Sequence, residues 1–454
     1  MRVLLINPAF FDQSEFKNRY SDYLNWVKGG NLYIAPFEPP LGLAYLTSYL
    51  KKQGKQVELI DMQGLMMDSN ELVKRMEQGN PGLIGITAMT TTFPVALRVA
   101  KLAKQVCPEA KILLGGVHPT LDPQGVLEQE CVDFVIRGEG ELALNGLVEA
   151  LQGRGSFEEI DGLCYREGQQ TVIKDKTMIE DGNMIPMPDY DAFPVEQYIR
   201  HNQLLRGIRG ISMLISRGCP FPCTFCAVHQ TMGKKWRIKA PELLVEEIIA
   251  TRDRYQLEGI WFKDSIFNMN PVWTREFCKL LIEKKAGISW QANTRIDLIK
   301  EDELKLMREA GLTQIDFGIE SGSRRSLARL KKNITIEQIK ENINLARQYV
   351  KVFGFFMIGI PGEEESDVLE TFELAKDLEL DRSTWSIYSP LPGSTLYDEL
   401  IAEGKIEPYK LDFEQIHFTK AYEGISNIQP ERLQELYKEI NDYFYQKNQT
   451  TEID

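Results

Sequence analysis

Five short apolar runs punctuate the first 150 positions: VLLIN (3–7), VELID (57–61), LIGITAM (83–89), KILLGG (111–116) and DFVIRGE (133–139). Stretches with helical periodicity separate them. Buried strands alternating with helices predict an α/β fold over residues 1–150, built on a doubly wound, Rossmann-like parallel sheet. Ligands of such sheets sit at the carboxyl ends of the strands. Those ends carry Asn7-Pro8, Asp61, Thr87 to Thr92, Gly115-Gly116 and Gly138 to Glu141, a polar and glycine-rich rim.

Between 151 and 205 the alternation stops. A hairpin pattern, GLCYREGQQTVIK, is followed by the proline-bearing NMIPMPDYDAFP, which has no helical period, so this stretch reads as a linker. A second alternating series begins near 206 and runs to about 400: ISMLIS (211–216), GIWFKD (259–264), SWQANTR (289–295), QIDFGIE (314–320), VFGFFMIG (352–359) and TWSIYSP (384–390). Amphipathic segments such as PELLVEEIIATRDRY lie between these runs. Six βα units are too few for an eight-stranded barrel and predict a partial (β/α)6 barrel with its function at the carboxyl ends of the strands. Residues 401–454 read as a short helical tail.

Composition narrows the class of protein. At 454 residues the chain exceeds the ~250 to 300 at which one core stops growing, which fits two domains. A net charge of -13 argues against nucleic acid as a partner, because holding phosphates requires a cationic surface. The N-terminal MRVLLINPAFF lacks the long apolar core of a signal peptide, and the longest apolar run, from Val352 to Pro361, is too short to span a bilayer. The expectation is a cytoplasmic protein with no transmembrane segment.

Seven cysteines, an odd number, do not suggest a disulfide framework in such a chain. Three of them, Cys219, Cys223 and Cys226, fall within CPFPCTFC, just after the first strand of the second series. A cubane iron-sulfur cluster has four irons, so three clustered thiolates leave one iron open to a substrate. Two other readings stay open: a zinc knuckle closed by His229, which a structural zinc site would need as fourth ligand, and three buried thiols without metal.

CPFPCTFC, with Phe225 before its last cysteine, resembles the CxxxCxxC signature of radical S-adenosylmethionine (SAM) enzymes. FKDSIF, TRID, FGIESGS, GFFMIGIPGEE and SPLPGSTLYD resemble the later strand motifs of that family, in order. The resemblance implies that Cys219, Cys223 and Cys226 hold a [4Fe-4S] cluster whose open iron binds S-adenosylmethionine. It further implies that Asp264, Arg295, Glu320 and the turn containing Gly359, Pro361 and Gly362 contact that cofactor. An internal ion pair between Glu320 and Arg295 is the structural alternative.

The amino-terminal half resembles cobalamin-binding domains, and both halves together follow the pattern of cobalamin-dependent radical SAM enzymes. The resemblance implies a corrinoid tail passing Thr87, Met89, Thr90, Gly115 and Gly116, with Gly42, His118, Gly138 and Glu139 also on the cofactor side. In FEPPLG (37–42), Pro39 stands where base-off, His-on proteins carry the axial histidine. Of the other histidines, His201 and His229 have no cobalamin motif around them, and His118 fits a tail-side or structural role. A flavodoxin-like domain with an empty or nucleotide-filled rim is the alternative for this half. A second cluster of the methylthiotransferase kind would need Cys107, Cys131 and Cys164, which lie scattered among predicted core positions.

By this resemblance the chain is a methylase of unactivated carbon. A flavodoxin- or ferredoxin-type donor reduces the cluster, a 5′-deoxyadenosyl radical activates an organic substrate, and methylcobalamin donates the methyl group. The same layout occurs in the anaerobic porphyrin ring cyclase, so a cyclisation or rearrangement without methylation is the second reading. A cobalamin carrier or sensor with a structural metal is a third.

Overall fold

The computed structural model describes residues 1–9, 38–200, 208–408 and 418–451. The chain divides into two compact units with the boundary at residue 202, apart from Gln230–Gly233, which groups with the first.

The first unit is built on a seven-stranded sheet. Its strands are β1 (Arg2–Asn7), β2 (Gln56–Asp61), β3 (Leu83–Thr87), β4 (Lys111–Gly115), β5 (Phe134–Ile136), β6 (Leu163–Glu167) and β7 (Gln170–Val172), in the order β2-β1-β3-β4-β5-β6-β7. The first five run parallel, as the continuous apolar runs predict, because a strand covered on both faces has no polar face to alternate with. Four of the helices are α1 (Leu41–Lys52), α2 (Ser69–Gly79), α3 (Phe93–Val106) and α4 (Gly140–Leu151). Helix α2 starts at a capping box in which the Asp68 carboxylate accepts from the Glu71 N–H at 2.8 Å. Ala96, Ala100 and Ala103 form a small-residue stripe on α3, which packs with Ile84, Ile86, Ile112 and Leu114 of the sheet. The order reverses between β1 and β3, the switch point at which such sheets open a crevice.

The hairpin in 151–205 belongs to this sheet. Strand β6 pairs antiparallel with β5, and β7 with β6, so the stretch read as a linker forms the sheet's far edge. Tyr198, in the helix Val195–Arg200, donates its hydroxyl to the buried Asp61 carboxylate at 2.5 Å, which ties the end of the same stretch to β2.

The second unit holds six parallel strands in simple succession: β8 (Gly210–Met213), β11 (Gly259–Phe262), β12 (Ser289–Thr294), β13 (Leu312–Glu320), β14 (Lys351–Ile358) and β15 (Arg382–Ile387). A two-stranded antiparallel ribbon, β9 (Ser216–Arg217) and β10 (Arg237–Ile238), interrupts what the sequence suggested was one strand from 211 to 216. Helices α5 (Pro241–Tyr255), α6 (Pro271–Glu283), α7 (Glu301–Glu309), α8 (Arg324–Arg329), α9 (Ile336–Arg347) and α10 (Glu365–Asp377) connect the strands, and α11 (Thr395–Ala402) and α12 (Pro430–Thr451) follow β15.

The outer face of this sheet is aromatic. Trp273 and Phe277 of α6 stack at 5.0 Å, and Phe277 meets Trp290 of β12 and Phe262 of β11 edge-on. Helix α12 covers the open edge: Phe444 stacks on Trp385 of β15 at 5.7 Å, and Tyr437 donates its hydroxyl to the Trp385 carbonyl at 3.3 Å. A partial barrel leaves its last strand unpaired, and a helix laid on it prevents edge-to-edge pairing. No helix among the described residues is long and apolar enough to cross a membrane.

Candidate active site

The three thiols of the second unit sit in one loop, each partly buried. Thr224, between the second and third cysteine, is almost fully buried and fastens the loop at three points. Its N–H donates to the Leu330 carbonyl at 3.1 Å, its hydroxyl to the Arg329 carbonyl at 2.9 Å, and its own carbonyl accepts from Leu396 N–H at 2.9 Å. The loop therefore hangs on the end of α8 and the start of α11. Phe225 packs into the apolar cluster of Leu330, Met357, Ile360 and Leu396, which holds the backbone on either side of it.

Burial pushes the Cys226 thiol up to about 11 and raises Cys219 as well, and each feels the charge of the neighbouring sulfurs. Metal loading thus releases protons here, and the desolvation that opposes a bare thiolate favours a metal-bound one. Three thiols on one loop, with no fourth in the motif, suit a cluster that keeps one iron open.

Two buried cations flank the loop. The Arg295 guanidinium donates to Cys223 Sγ at 3.7 Å and lies 3.8 Å from the centre of the Phe221 ring. Lys332 pairs with Glu320 at 2.9 Å, with its ammonium 5.8 Å from the Phe225 ring centre. The alternative reading, an internal pair of Glu320 with Arg295, does not hold, because Arg295 pairs with Asp297 at 2.9 Å and Glu320 with Lys332. Glu320 stands at a bulge where the β13–β14 register slips, and its φ of 68° is left-handed. Such a conformation in a non-glycine residue is stored strain, which concentrates at functional positions. A Cβ on Gly318 would come within 2.5 Å of the Glu320 carboxylate, so the glycine makes room for the pair.

Asp264 is fully buried and accepts from Ser216 Oγ at 2.5 Å, from the Ser216 N–H, and from the Ile215 N–H at 3.1 Å. Burial raises it to about 6. These bonds pin the backbone that leads into the cysteine loop.

Beyond β14 the chain turns through Gly359, Pro361 and Gly362, with φ of 75° and 83° at the two glycines. Glu363 holds this turn by accepting from Gly359 N–H at 2.6 Å, Ile360 N–H at 3.1 Å and Ser326 Oγ at 2.7 Å. Nothing lies within 4 Å of a Cβ built on Gly362, so that position faces open space.

At the carboxyl rim of the first unit's sheet, a Cβ on Gly42 would meet nothing within 4 Å, and one on Gly115 only the Ile136 carbonyl at 4.0 Å. Among the described residues, packing explains neither glycine. Gly116 is different: with φ 102°, its Cβ would meet the Ala88 carbonyl and Thr87 Oγ1, both at 2.9 Å. Met89 is half exposed, and Leu65 and Val117 are also exposed beside the ends of β2 and β4. Thr90, by contrast, is buried in the short turn that follows β3. An open cradle of glycine and apolar side chains fits the face of a large planar ligand.

His118 is buried, its ring centre 4.1 Å from that of Phe93, and burial lowers it to about 4, so it stays neutral at physiological pH. Gly138 and Glu139 are engaged within the protein. The Glu139 N–H donates to the Thr177 carbonyl at 3.0 Å and its carbonyl accepts from Thr177 Oγ1 at 2.8 Å, its carboxylate accepts from Ile179 N–H at 2.7 Å, and a Cβ on Gly138 would strike the Thr177 carbonyl. They hold the segment after β7 in place. His201 lies outside the described residues.

The sequence matches the B12 binding domain model over residues 28–148 and the radical SAM superfamily model over residues 213–375. The chain belongs to the cobalamin-binding radical SAM family. It is 33% identical over 80% of its length to an uncharacterised methyltransferase of Pyrococcus horikoshii, covering 79% of that protein. It is 31% identical over 92% of its length to the anaerobic magnesium-protoporphyrin IX monomethyl ester cyclase of Rubrivivax gelatinosus, covering 72% of that one. Its fold matches the solved structure of the radical SAM methyltransferase TsrM from Kitasatospora setae, with a TM-score of 0.71 and 16% identity over 89% of this chain and 75% of that one.

Four residues of this radical SAM unit escaped the sequence reading: Lys332, Asp297, Thr224 and Glu363. Only Asp297 and Glu363 had a local signal, an acidic residue beside a strand-end motif. Lys332 is one charge in LKKN, and its partner lies twelve residues away by sequence.

Proposed function

We propose that this chain is a cobalamin-dependent radical SAM methyltransferase acting on an unactivated carbon of an organic substrate. The observation that carries the reading is the three-thiol loop, fastened by Thr224 and faced by the Arg295 guanidinium, with no fourth ligand in the motif. The residues fit both cofactors, a cluster on Cys219, Cys223 and Cys226 and a corrinoid at the glycine-lined rim of the first unit. When bound, the cluster with S-adenosylmethionine supplies a carbon radical, and the corrinoid supplies a transferable methyl group.

The protein's own part is placement. Thr224 and Phe225 fix the thiols, and Asp264 fixes the strand that leads to them. The Glu363 staple fixes the turn at Gly359 to Gly362, and the Glu320–Lys332 pair leaves a charged edge beside the thiols. A flavodoxin- or ferredoxin-type protein is the proposed electron donor.

Anaerobically reconstituted protein should bind iron and sulfide and cleave S-adenosylmethionine reductively. Cys223→Ala should lose both properties, and a variant that kept its iron would overturn the cluster assignment. With substrate, methylation should release one S-adenosylhomocysteine for each 5′-deoxyadenosine. The likeness to the cyclase, which extends over 92% of the chain, favours a second reading, cyclisation or rearrangement. That reading predicts 5′-deoxyadenosine without S-adenosylhomocysteine and without an added methyl group.

A further inference from the structure

Arg295 leads into the short turn Ile296–Leu298 after β12, and its side chain is only 6% exposed. Its N–H groups are almost all committed. Nε and Nη2 grip the two Asp297 oxygens at 2.9 and 3.0 Å, Nη2 also donates to the Lys332 carbonyl at 2.7 Å, and Nη1 donates to Cys223 Sγ at 3.7 Å. Phe221, between the first two cysteines, covers the guanidinium face at 3.8 Å. Of the five donors a guanidinium carries, these bonds use four, so little remains for a free ligand.

The partners share one support. Lys332 belongs to the stretch whose Arg329 and Leu330 carbonyls hold Thr224, and Lys331 and Asn333 on either side of it have left-handed φ values of 49° and 56°. One bracket thus holds both the middle of the cysteine loop and the guanidinium that reaches its second sulfur.

A donor on a cluster-ligating sulfur, and a positive charge near it, stabilise the reduced form, which carries the extra electron. Resting on the cluster reading above, we infer that Arg295 is a positioning residue that acts through Cys223 to raise the reduction potential of the cluster, not a contact for S-adenosylmethionine. Asp297 is its counterweight. It sets the fork by a bidentate grip and offsets part of the charge, so the two residues act on the potential with opposite sign.

The test is an electron paramagnetic resonance-monitored redox titration of the reconstituted full-length protein without S-adenosylmethionine, alongside iron content and S-adenosylmethionine affinity. Arg295→Gln should lower the ratio of reduced to oxidised cluster at a fixed poise about tenfold, equal to about 59 mV for a one-electron couple. Arg295→Lys keeps the charge and loses the fork, so a smaller fall, about threefold, is expected. Asp297→Asn removes the counter-charge while the Lys332 carbonyl and Phe221 still hold the guanidinium, and should move the potential upward. Iron content and affinity should stay within about twofold of the parent in each iron-loaded variant.

Unchanged potentials in iron-loaded Arg295 variants would overturn the inference. So would loss of S-adenosylmethionine affinity at constant potential, or an equal fall in Arg295→Gln and Asp297→Asn, which would make Arg295 a brace and nothing more. If Arg295→Gln takes up no iron, the Lys and Asn variants decide the question. A parent protein that bound no cluster would reject the reading beneath it, a result distinct from all of these.

Discussion

Glu363 accepts three hydrogen bonds in a site closed to water, and burial raises its carboxyl to about 7 from an ordinary 4.5. The folded protein therefore holds this proton more tightly than the unfolded chain does. The resulting stabilisation is complete below the unfolded value and is lost as pH rises through the folded one, a change of about 3 kcal/mol between about pH 4.5 and about pH 7. Glu363→Gln does not titrate. Relative to the parent it should gain stability across that window and run parallel above it, as denaturant midpoints at about pH 5 and about pH 8 will show. A parent-to-variant difference independent of pH would reject the assignment. The same side chain shows what a sequence reveals at this scale. The three cysteines stood out by their spacing, and Arg295 through the resemblance of TRID to a family motif. Its grip on Asp297 was not legible, nor was the pairing of Glu320 with Lys332, because both depend on where a bulge and a left-handed residue direct the backbone.

At the scale of elements, the parallel strands were legible in both halves, since buried strands leave apolar runs and helices leave a period. Edges were not. The hairpin at 163–172 is visible locally, but its pairing with β5 is a long-range choice that neither strand's own pattern reveals. For the same reason the tail read as a short helical appendage, whereas α12 carries Phe444 onto Trp385, which is itself stacked on Phe356 at 4.5 Å. Phe444 is 5% exposed, so Phe444→Ala removes a core-like ring and should destabilise the second unit by about 3 kcal/mol. Calorimetry should show a lower melting temperature for the variant, with the iron content of the folded protein retained, because the cysteine loop hangs on α8 and α11. A melting temperature equal to the parent's would mean that α12 is not the cover of β15.

For the molecule as a whole, the two cofactors are expected to be separable, one bound by each unit through residues of that unit alone. Gly42 and Gly115 provide the means to test this, because among the described residues a Cβ at Gly42 meets nothing within 4 Å and one at Gly115 only the Ile136 carbonyl at 4.0 Å. Gly115 ends a β-strand and has an ordinary backbone, so Gly115→Val should fold. Gly42 is the second residue of α1, with a backbone that any residue adopts, so a side chain there brings no strain. If the cradle is where the corrinoid lies, both substitutions should abolish cobalamin binding, while iron content and reductive cleavage of S-adenosylmethionine persist. Cys223→Ala should show the converse, cobalamin retained and iron lost. The bound form is also specified. With the corrinoid tail drawn into the sheet its own base leaves cobalt, Pro39 is buried and offers no ligating nitrogen, and His118 is packed on Phe93, so cob(II)alamin in the parent protein should be base-off, without nitrogen superhyperfine splitting in its electron paramagnetic resonance spectrum. Splitting that vanished in His118→Phe would make that histidine the axial ligand and place the corrinoid elsewhere on the rim. Cobalamin binding that survived both glycine substitutions would leave the apolar rim without the ligand assigned to it.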